Sequence, residues 1–260
     1  MPGPEADLAL LIDAARTAGD IARAHFRSNP EIWTKPDESP VTEADIAIDR
    51  VLRSDLLAAR PDYGWLSEET EDDPARLDAE RCFIVDPIDG TRAFIDGQTS
   101  FAHSLAVVDG GEVTAGVVYL PMKDKLYAAA RGHGATLNSV GISVSAKTSA
   151  TDATALATKP NVQPKHWKGG VPPFQRVYRP SIAYRLALVA EGHFDAMFTF
   201  RDTWEWDIAA GAVLVREAGG TVTDAEGRSV WFNGARPMAA GIIAAPDALH
   251  RSLLDYRLGR

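Results

Sequence analysis

The sequence predicts a layered fold of mixed α/β or α+β class, and three patterns carry that reading. Apolar residues recur at helical spacing over residues 4–27, and a cap and a proline stop frame a second helix after them. β-Branched and apolar runs punctuated by Gly-containing turns follow between residues 83 and 130. Beyond residue 150, short strand patterns alternate with helical ones, the order expected of helices layered on sheets. A chain of 260 residues suits one large domain or two closely packed ones. A change of composition near residues 147–152 places the expected division at residue 150, giving an N-terminal half 1–150 and a C-terminal half 151–260.

The elements follow in order. Leu8, Leu11, Ile12, Ala15, Ala22 and Phe26 define a helix over residues 4–27. Ser39-Pro40-Val41 closes a turn-rich stretch, and Thr42 is placed to cap a second helix that Pro61 stops after Arg60. Residues 63–67 suit a short strand, and the acidic stretch 70–81 suits a surface loop with one helical turn. Phe83, Ile84 and Val85 form a buried strand that is expected to stop at Pro87, which has no N–H to give to a ladder. Runs 103–108 and 113–120, separated by Asp109-Gly110-Gly111, read as a hairpin. Residues 125–130 add a strand before the Gly132-His133-Gly134 turn. Strands near 153–158, 176–178 and 194–200 then accompany helices near 181–191 and 206–218, the latter closed by Gly219-Gly220. Pro246 suits the first turn of a terminal helix.

Bulk composition narrows the function. The chain is 45% hydrophobic and 24% charged, as ordinary globular proteins are. A formal charge of −9 argues against a nucleic-acid polymer as partner, because phosphate-backbone binding needs basic patches. A small phosphorylated metabolite stays compatible, since acids that hold cations can present a positive face to an anion. Apolar stretches fall far short of the roughly 20 residues a membrane helix needs. Glu5 and Asp7 stand where a secretory signal would be basic, and the lone cysteine, Cys82, suits a reducing compartment; a cytoplasmic protein is the expectation.

Chemistry concentrates in the run Asp86-Pro87-Ile88-Asp89-Gly90-Thr91, which brings two carboxylates, a carbonyl and a hydroxyl to a strand end. Asp45, Glu68, Glu69 and Asp207 add acids elsewhere. Each of these has an ordinary structural reading: Asp45 completes a helix cap, Asp207 opens a helix, and the two glutamates face solvent. Asp86 and Asp89 resist such a reading, because turn chemistry needs one Asx rather than two. Carboxylates and carbonyls are the donors that Mg²⁺ prefers. The six histidines show no paired ligand spacing, which argues against zinc, and His103 reads as a packed histidine rather than a base.

Four motifs, in order, resemble those of the inositol monophosphatase superfamily of lithium-sensitive phosphatases. They are Lys35-Pro36-Asp37-Glu38-Ser39-Pro40-Val41-Thr42-Glu43-Ala44-Asp45, Leu66-Ser67-Glu68-Glu69, Asp86 to Thr91, and Trp206-Asp207-Ile208-Ala209-Ala210-Gly211. The resemblance implies a five-layer αβαβα sandwich, a homodimer, and two or three Mg²⁺ ions. It implies that Glu68, Asp86 and the Ile88 carbonyl hold one ion, and that Asp86, Asp89 and Asp207 hold a second. Glu69 would assist a third, weaker site. Asp45 and Thr91 would position and deprotonate the attacking water, and the N–H groups of Gly90 and Thr91 would receive the phosphate.

The substrate is read from departures within the superfamily. Inositol monophosphatases and histidinol-phosphate phosphatases usually carry an acid seven places before the W-D aspartate, where this chain has Phe200. The bisphosphate nucleotidase branch, which converts adenosine 3′,5′-bisphosphate to AMP, tolerates an aromatic there, so that branch is the expectation. Its serines ahead of the L-V-A-E-G run are replaced here by Ile182-Ala183-Tyr184-Arg185; Tyr184 would stack on a base and Arg185 would meet a second phosphate. Inositol 1-phosphate and histidinol phosphate stay open as alternatives. An aspartyl-phosphate-forming phosphatase, whose D-x-D-G-T is one residue shorter, and a non-enzymatic cation-binding protein are more distant ones.

Overall fold

The computed structural model describes residues 2–28 and 30–260. Helix α1 (Pro4–His25) buries Leu11, Ala14, Ala15, Ala18 and Ala22 on one stripe and leaves the other faces polar. A short antiparallel ribbon, β1 (Ile32–Thr34) with β2 (Pro40–Thr42), leads into α2 (Glu43–Ala59). Thr42 caps α2 as expected, in a reciprocal box with Asp45. β3 (Gly64–Ser67), a single 3₁₀ turn over Pro74–Asp78, and β4 (Arg81–Asp89) come next. They are followed by the one-turn helix α3 (Thr91–Ile95) and the strands β5 (Ala102–Asp109) and β6 (Glu112–Leu120). β7 (Lys125–Ala130), β8 (Ala135–Leu137) and β9 (Val140–Gly141) complete a seven-stranded sheet in sequence order. Its β3–β4 pair is parallel and the other pairs are antiparallel.

A second sheet is built from later residues. β10 (Thr154–Leu156), β11 (Gln175–Val177), α4 (Ile182–Ala190), β12 (Ala196–Thr199), β13 (Thr203–Trp204) and α5 (Glu205–Glu217) follow in the chain. β14 (Gly220–Thr223), β15 (Met238–Ala239), β16 (Ile242–Pro246) and α6 (Asp247–Leu258) close it. Five of these strands form a mixed sheet in the order β11-β10-β12-β16-β14. α1 and α2 cover one face of the large sheet, α4 and α5 are sandwiched between the two sheets, and α6 covers the outer face of the smaller one. This is the five-layer αβαβα arrangement. α4 reads as a helix apolar on all sides, with every residue buried, because sheets lie above and below it. α4 and α5 meet closely at Gly211, where a Cβ would lie 2.4 Å from Leu186 Cβ; no other residue fits without moving a helix.

Two expectations need correction. β4 does not stop at Pro87 but continues to Asp89 through an irregularity. Asp86 pairs with Ser104 and Asp89 with Ala102, so three steps on β4 match two on β5. One extra residue is therefore inserted as a β-bulge, which accommodates the missing proline N–H without ending the strand. The Pro87 carbonyl, freed from the ladder, accepts from His103 Nδ1 at 2.5 Å. The second correction is small: Pro246 stands at the N-cap of α6, one place before its first turn.

Candidate active site

The bulge sets the geometry of the site. Strand alternation alone would send residues i and i+3 to opposite faces; the extra residue brings Asp86 and Asp89 toward one cavity, which both line. Glu68 enters from the end of the parallel neighbour β3, its N–H donating to the Val85 carbonyl at 3.2 Å. Asp207 enters from the first turn of α5, where it makes no capping bond. One carboxylate oxygen from each of Glu68, Asp86 and Asp207 lies within 4.8 Å of the others.

Electrostatics make this cluster costly for the protein alone. Among the described residues, neither carboxylate oxygen of the buried Asp86 has a hydrogen-bond partner. Burial, followed by repulsion from Glu68, Asp89 and Asp207, pushes its carboxyl well above the ordinary range. Asp207 is pushed the same way by burial and by Asp89 and Glu68, with Arg201 and Arg185 opposing. Asp89 is raised less, to about 6, because Ser181 Oγ (2.7 Å) and the Ala183 N–H (2.6 Å) donate to its Oδ2 at the start of α4. Convergent, unpartnered carboxylates match the donor set of a hard divalent cation. The residues present fit such an ion.

Next to this cluster lies a hydroxyl–carboxylate pair. Gly90 caps α3 in the left-handed region at φ 101°, which only glycine adopts without strain, and this directs the chain so that Thr91 opens the helix. Thr91 Oγ1 lies 3.1 Å from the Ile88 carbonyl and 3.3 Å from Asp45 Oδ1. Asp45 Oδ2 accepts from the Thr42 N–H (2.8 Å) and Oγ1 (2.5 Å). Burial raises the Asp45 carboxyl to about 6, although the Thr42 bonds pull it down. Thr91 lines the cavity while Asp45 stands behind it, so Asp45 communicates with the cavity through the threonine hydroxyl. Glu69 does not face solvent: Lys35 Nζ bridges Glu68 (2.9 Å) and Glu69 (2.8 Å), and burial raises Glu69 to about 7. His103 is fully buried, and burial lowers it to about 4, in keeping with a packing role.

The cavity measures about 770 Å³ and is lined by both signs of charge. Beside the acids it is lined by Ile88, Gly90, Thr158 and Tyr178 and by the guanidinium groups of Arg92, Arg185 and Arg201. Arg185 is buried, its Nε donating to the Arg179 carbonyl at 2.5 Å and its NH2 to the Pro180 carbonyl at 3.2 Å. Tyr184 does not join it. A helix turns by about 100° per residue, so the ring next to Arg185 points into the protein, where it is buried near Lys123. Phe200 is also absent from the lining: it stacks on Phe198 at 5.3 Å and packs on Trp167, and Arg201 takes the cavity side.

Comparison with known proteins fits this arrangement. The model of the inositol monophosphatase family matches residues 4–258. The chain belongs to the inositol monophosphatase family. Members of that family are phosphatases acting on small phosphorylated substrates. An inositol-1-monophosphatase of Rhizobium meliloti is 38% identical over 248 residues, covering 91% of this chain and 90% of the relative. A histidinol-phosphatase of Chlorobaculum parvum is 31% identical, with 95% of each chain covered. The crystal structure of the extragenic suppressor protein suhB from Bartonella henselae superposes with a TM-score of 0.84 at 31% identity, covering 96% of this chain and 98% of that one. Among the described residues of this inositol monophosphatase family member, no helix is long and apolar enough to cross a membrane.

Sequence reasoning missed four cavity or near-cavity residues of this phosphatase: Lys35, Thr158, Tyr178 and Arg201. Lys35 opens the first family motif and could have been paired with the two glutamates on charge alone. Thr158, Tyr178 and Arg201 sit at strand ends of the second sheet, beyond β10, β11 and β12, and only the topology brings them to the acids.

Proposed function

We propose that this protein is a Mg²⁺-dependent phosphomonoesterase for a small metabolite carrying a second anionic group, with adenosine 3′,5′-bisphosphate as its substrate. The unpartnered Asp86 amid Glu68 and Asp207 carries the reaction type. Two guanidinium groups that line the same cavity, Arg185 and Arg201, support the second anion. Phosphate-monoester hydrolysis is so slow that enzymes accelerate it up to ~10²¹-fold, whereas one positioned base contributes roughly 10²–10⁴-fold. Side chains alone fall short of that.

In this reading Glu68, Asp86 and the Ile88 carbonyl would hold one ion, and Asp86, Asp89 and Asp207 would hold a second. Bound there, divalent cations acidify water and neutralise charge on the phosphoryl group and its leaving oxygen. The protein supplies the rest. Thr91 Oγ1 accepts a hydrogen bond from the attacking water while giving its own proton to Asp45 Oδ1, so a proton leaves the water along that line. Gly90 and Thr91 orient the phosphoryl group with their N–H groups. The new P–O bond forms as the ester P–O bond breaks, and the leaving oxygen takes a proton from solvent.

Inositol 1-phosphate is the second reading, favoured by the name of the 38%-identical relative. Lithium inhibition, a homodimer and a cytoplasmic location belong to the proposal as family expectations. Phosphate release with Mg²⁺, with and without lithium, should be measured on adenosine 3′,5′-bisphosphate, inositol 1-phosphate and histidinol phosphate. The highest kcat/KM is expected for the bisphosphate. A higher value for either monophosphate would replace the substrate, and no Mg²⁺-dependent release from any of them would end the reading.

A further inference from the structure

Tyr178 lies just past the end of β11, at the mouth of the cavity, and half of its surface (50%) is exposed. Exposed tyrosines are ordinary, but this one is braced. The Arg185 guanidinium lies over its ring, 4.9 Å from the centroid. That guanidinium is itself immobilised by the Arg179 and Pro180 carbonyls. One side of the ring is thus backed by a fixed cation, while the ring also lines the space in which a substrate would sit. A rigid aromatic face presented to a cavity loses little side-chain entropy when a planar group stacks on it. The same guanidinium also lines the cavity, where it suits an anion carried by the same ligand.

We infer that Tyr178, braced by Arg185, is the specificity-determining platform that selects substrates carrying a planar nitrogenous base next to a second phosphate. The inference rests on the bisphosphate reading above and deepens it: the platform separates nucleoside bisphosphates from sugar bisphosphates that carry no base. It assigns to Tyr178 the stacking that the sequence places on Tyr184, whose ring is buried outside the cavity.

The test compares adenosine 3′,5′-bisphosphate with the corresponding baseless ribose bisphosphate, in the wild type and in Tyr178→Ala, Tyr178→Leu and Tyr178→Phe. The wild type should favour the adenosine compound by about 5- to 150-fold in kcat/KM, the range expected for one base on one aromatic ring. Alanine and leucine should reduce that ratio to near one, chiefly through KM for the adenosine compound. Phenylalanine should retain the ratio. Equilibrium binding of AMP should weaken by a similar factor in the alanine and leucine variants and not in Tyr178→Phe. A wild-type ratio near one, or an unchanged ratio in both Tyr178→Ala and Tyr178→Leu, would overturn the platform while leaving the bisphosphate reading intact. Poor hydrolysis of both bisphosphates beside rapid hydrolysis of inositol 1-phosphate would remove both together.

Discussion

Replacing Asp86 by asparagine should make the metal-free protein more stable while abolishing most of its response to Mg²⁺. The wild-type carboxylate is buried, lacks a hydrogen-bond partner among the described residues, and has oxygens of Glu68 and Asp207 within 4.8 Å. At that outer limit each like-charge pair repels by about 3.5 kcal/mol with an effective dielectric constant near 20. Two such pairs exceed the cost of keeping the carboxyl protonated. At pH 7.5, against an ordinary value of 3.8, that cost is about 5 kcal/mol at 1.36 kcal/mol per pH unit. Proton uptake therefore caps the penalty near about 5 kcal/mol. The amide keeps polar atoms buried at a cost of roughly 1–3 kcal/mol, leaving a net gain of about 2–4 kcal/mol. At about 2–4 °C per kcal/mol for a chain of this size, Tm should rise by about 5–15 °C in chelator. Magnesium at a hundred times its Kd should stabilise the wild type by about 2.7 kcal/mol, and the variant hardly at all. Thermal unfolding of both proteins with chelator and with Mg²⁺ reads all four values. A variant less stable than wild type in chelator, with its Mg²⁺ shift intact, would refute the reasoning.

The carboxyls of the site also predict a pH dependence. Asp45 and Asp89 have folded values near 6 against 3.8, and Asp86 and Asp207 are raised further, so the folded state binds protons more tightly than the unfolded one. For Asp45 and Asp89 this stabilisation is complete below about pH 4 and is lost as pH rises through 6, at up to about 3 kcal/mol each; for Asp86 and Asp207 it has the same sign. Chemical denaturation of metal-free protein from pH 4 to 8 should show that decline, and saturating Mg²⁺ should flatten it; a metal-free stability that rises across this window would contradict the burial argument. Thr91→Ala should lower kcat by about 10²-fold or more while changing KM little, as steady-state kinetics would show, because the hydroxyl links water to Asp45. Gly211→Ala should destabilise the fold by about 1–3 kcal/mol in urea titrations, since the new Cβ falls 2.4 Å from Leu186 Cβ; unchanged stability would mean that α4 and α5 can separate freely.

Much of this architecture was legible before any coordinates, and the reasons are local. Thr42 with Asp45 announced a capped helix, Asp109-Gly110-Gly111 a hairpin, and 3.6-residue periodicity the first helix; each is decided by neighbours in sequence. Asp86 and Asp89 stood out because turn chemistry needs one Asx rather than two, whereas the roles of Glu68 and Asp207 followed only from the family resemblance. The cationic lining of the cavity was harder to see. Arg201 and Tyr178 lie at strand ends whose adjacency depends on the order β11-β10-β12, which no local pattern encodes. Tyr184 and Phe200 were misdirected for a related reason: position in a motif gives a neighbourhood, but side-chain direction depends on helix phase and strand facing. The strand stop at Pro87 failed because a missing donor can be absorbed by an inserted residue as well as by a turn.

That inserted residue constrains how the chain can vary. Because Asp86 and Asp89 share a cavity with one unmatched position between them opposite β5, gaining a further residue there would swing one carboxylate to the other side of the sheet, whereas losing the unmatched one would keep both on one side and remove the bulge. Substitutions at Pro87 or Ile88 alter packing; a length change there rearranges the donor set itself. A homologue with one residue more between its two aspartates should therefore have lost the cation site rather than merely loosened it.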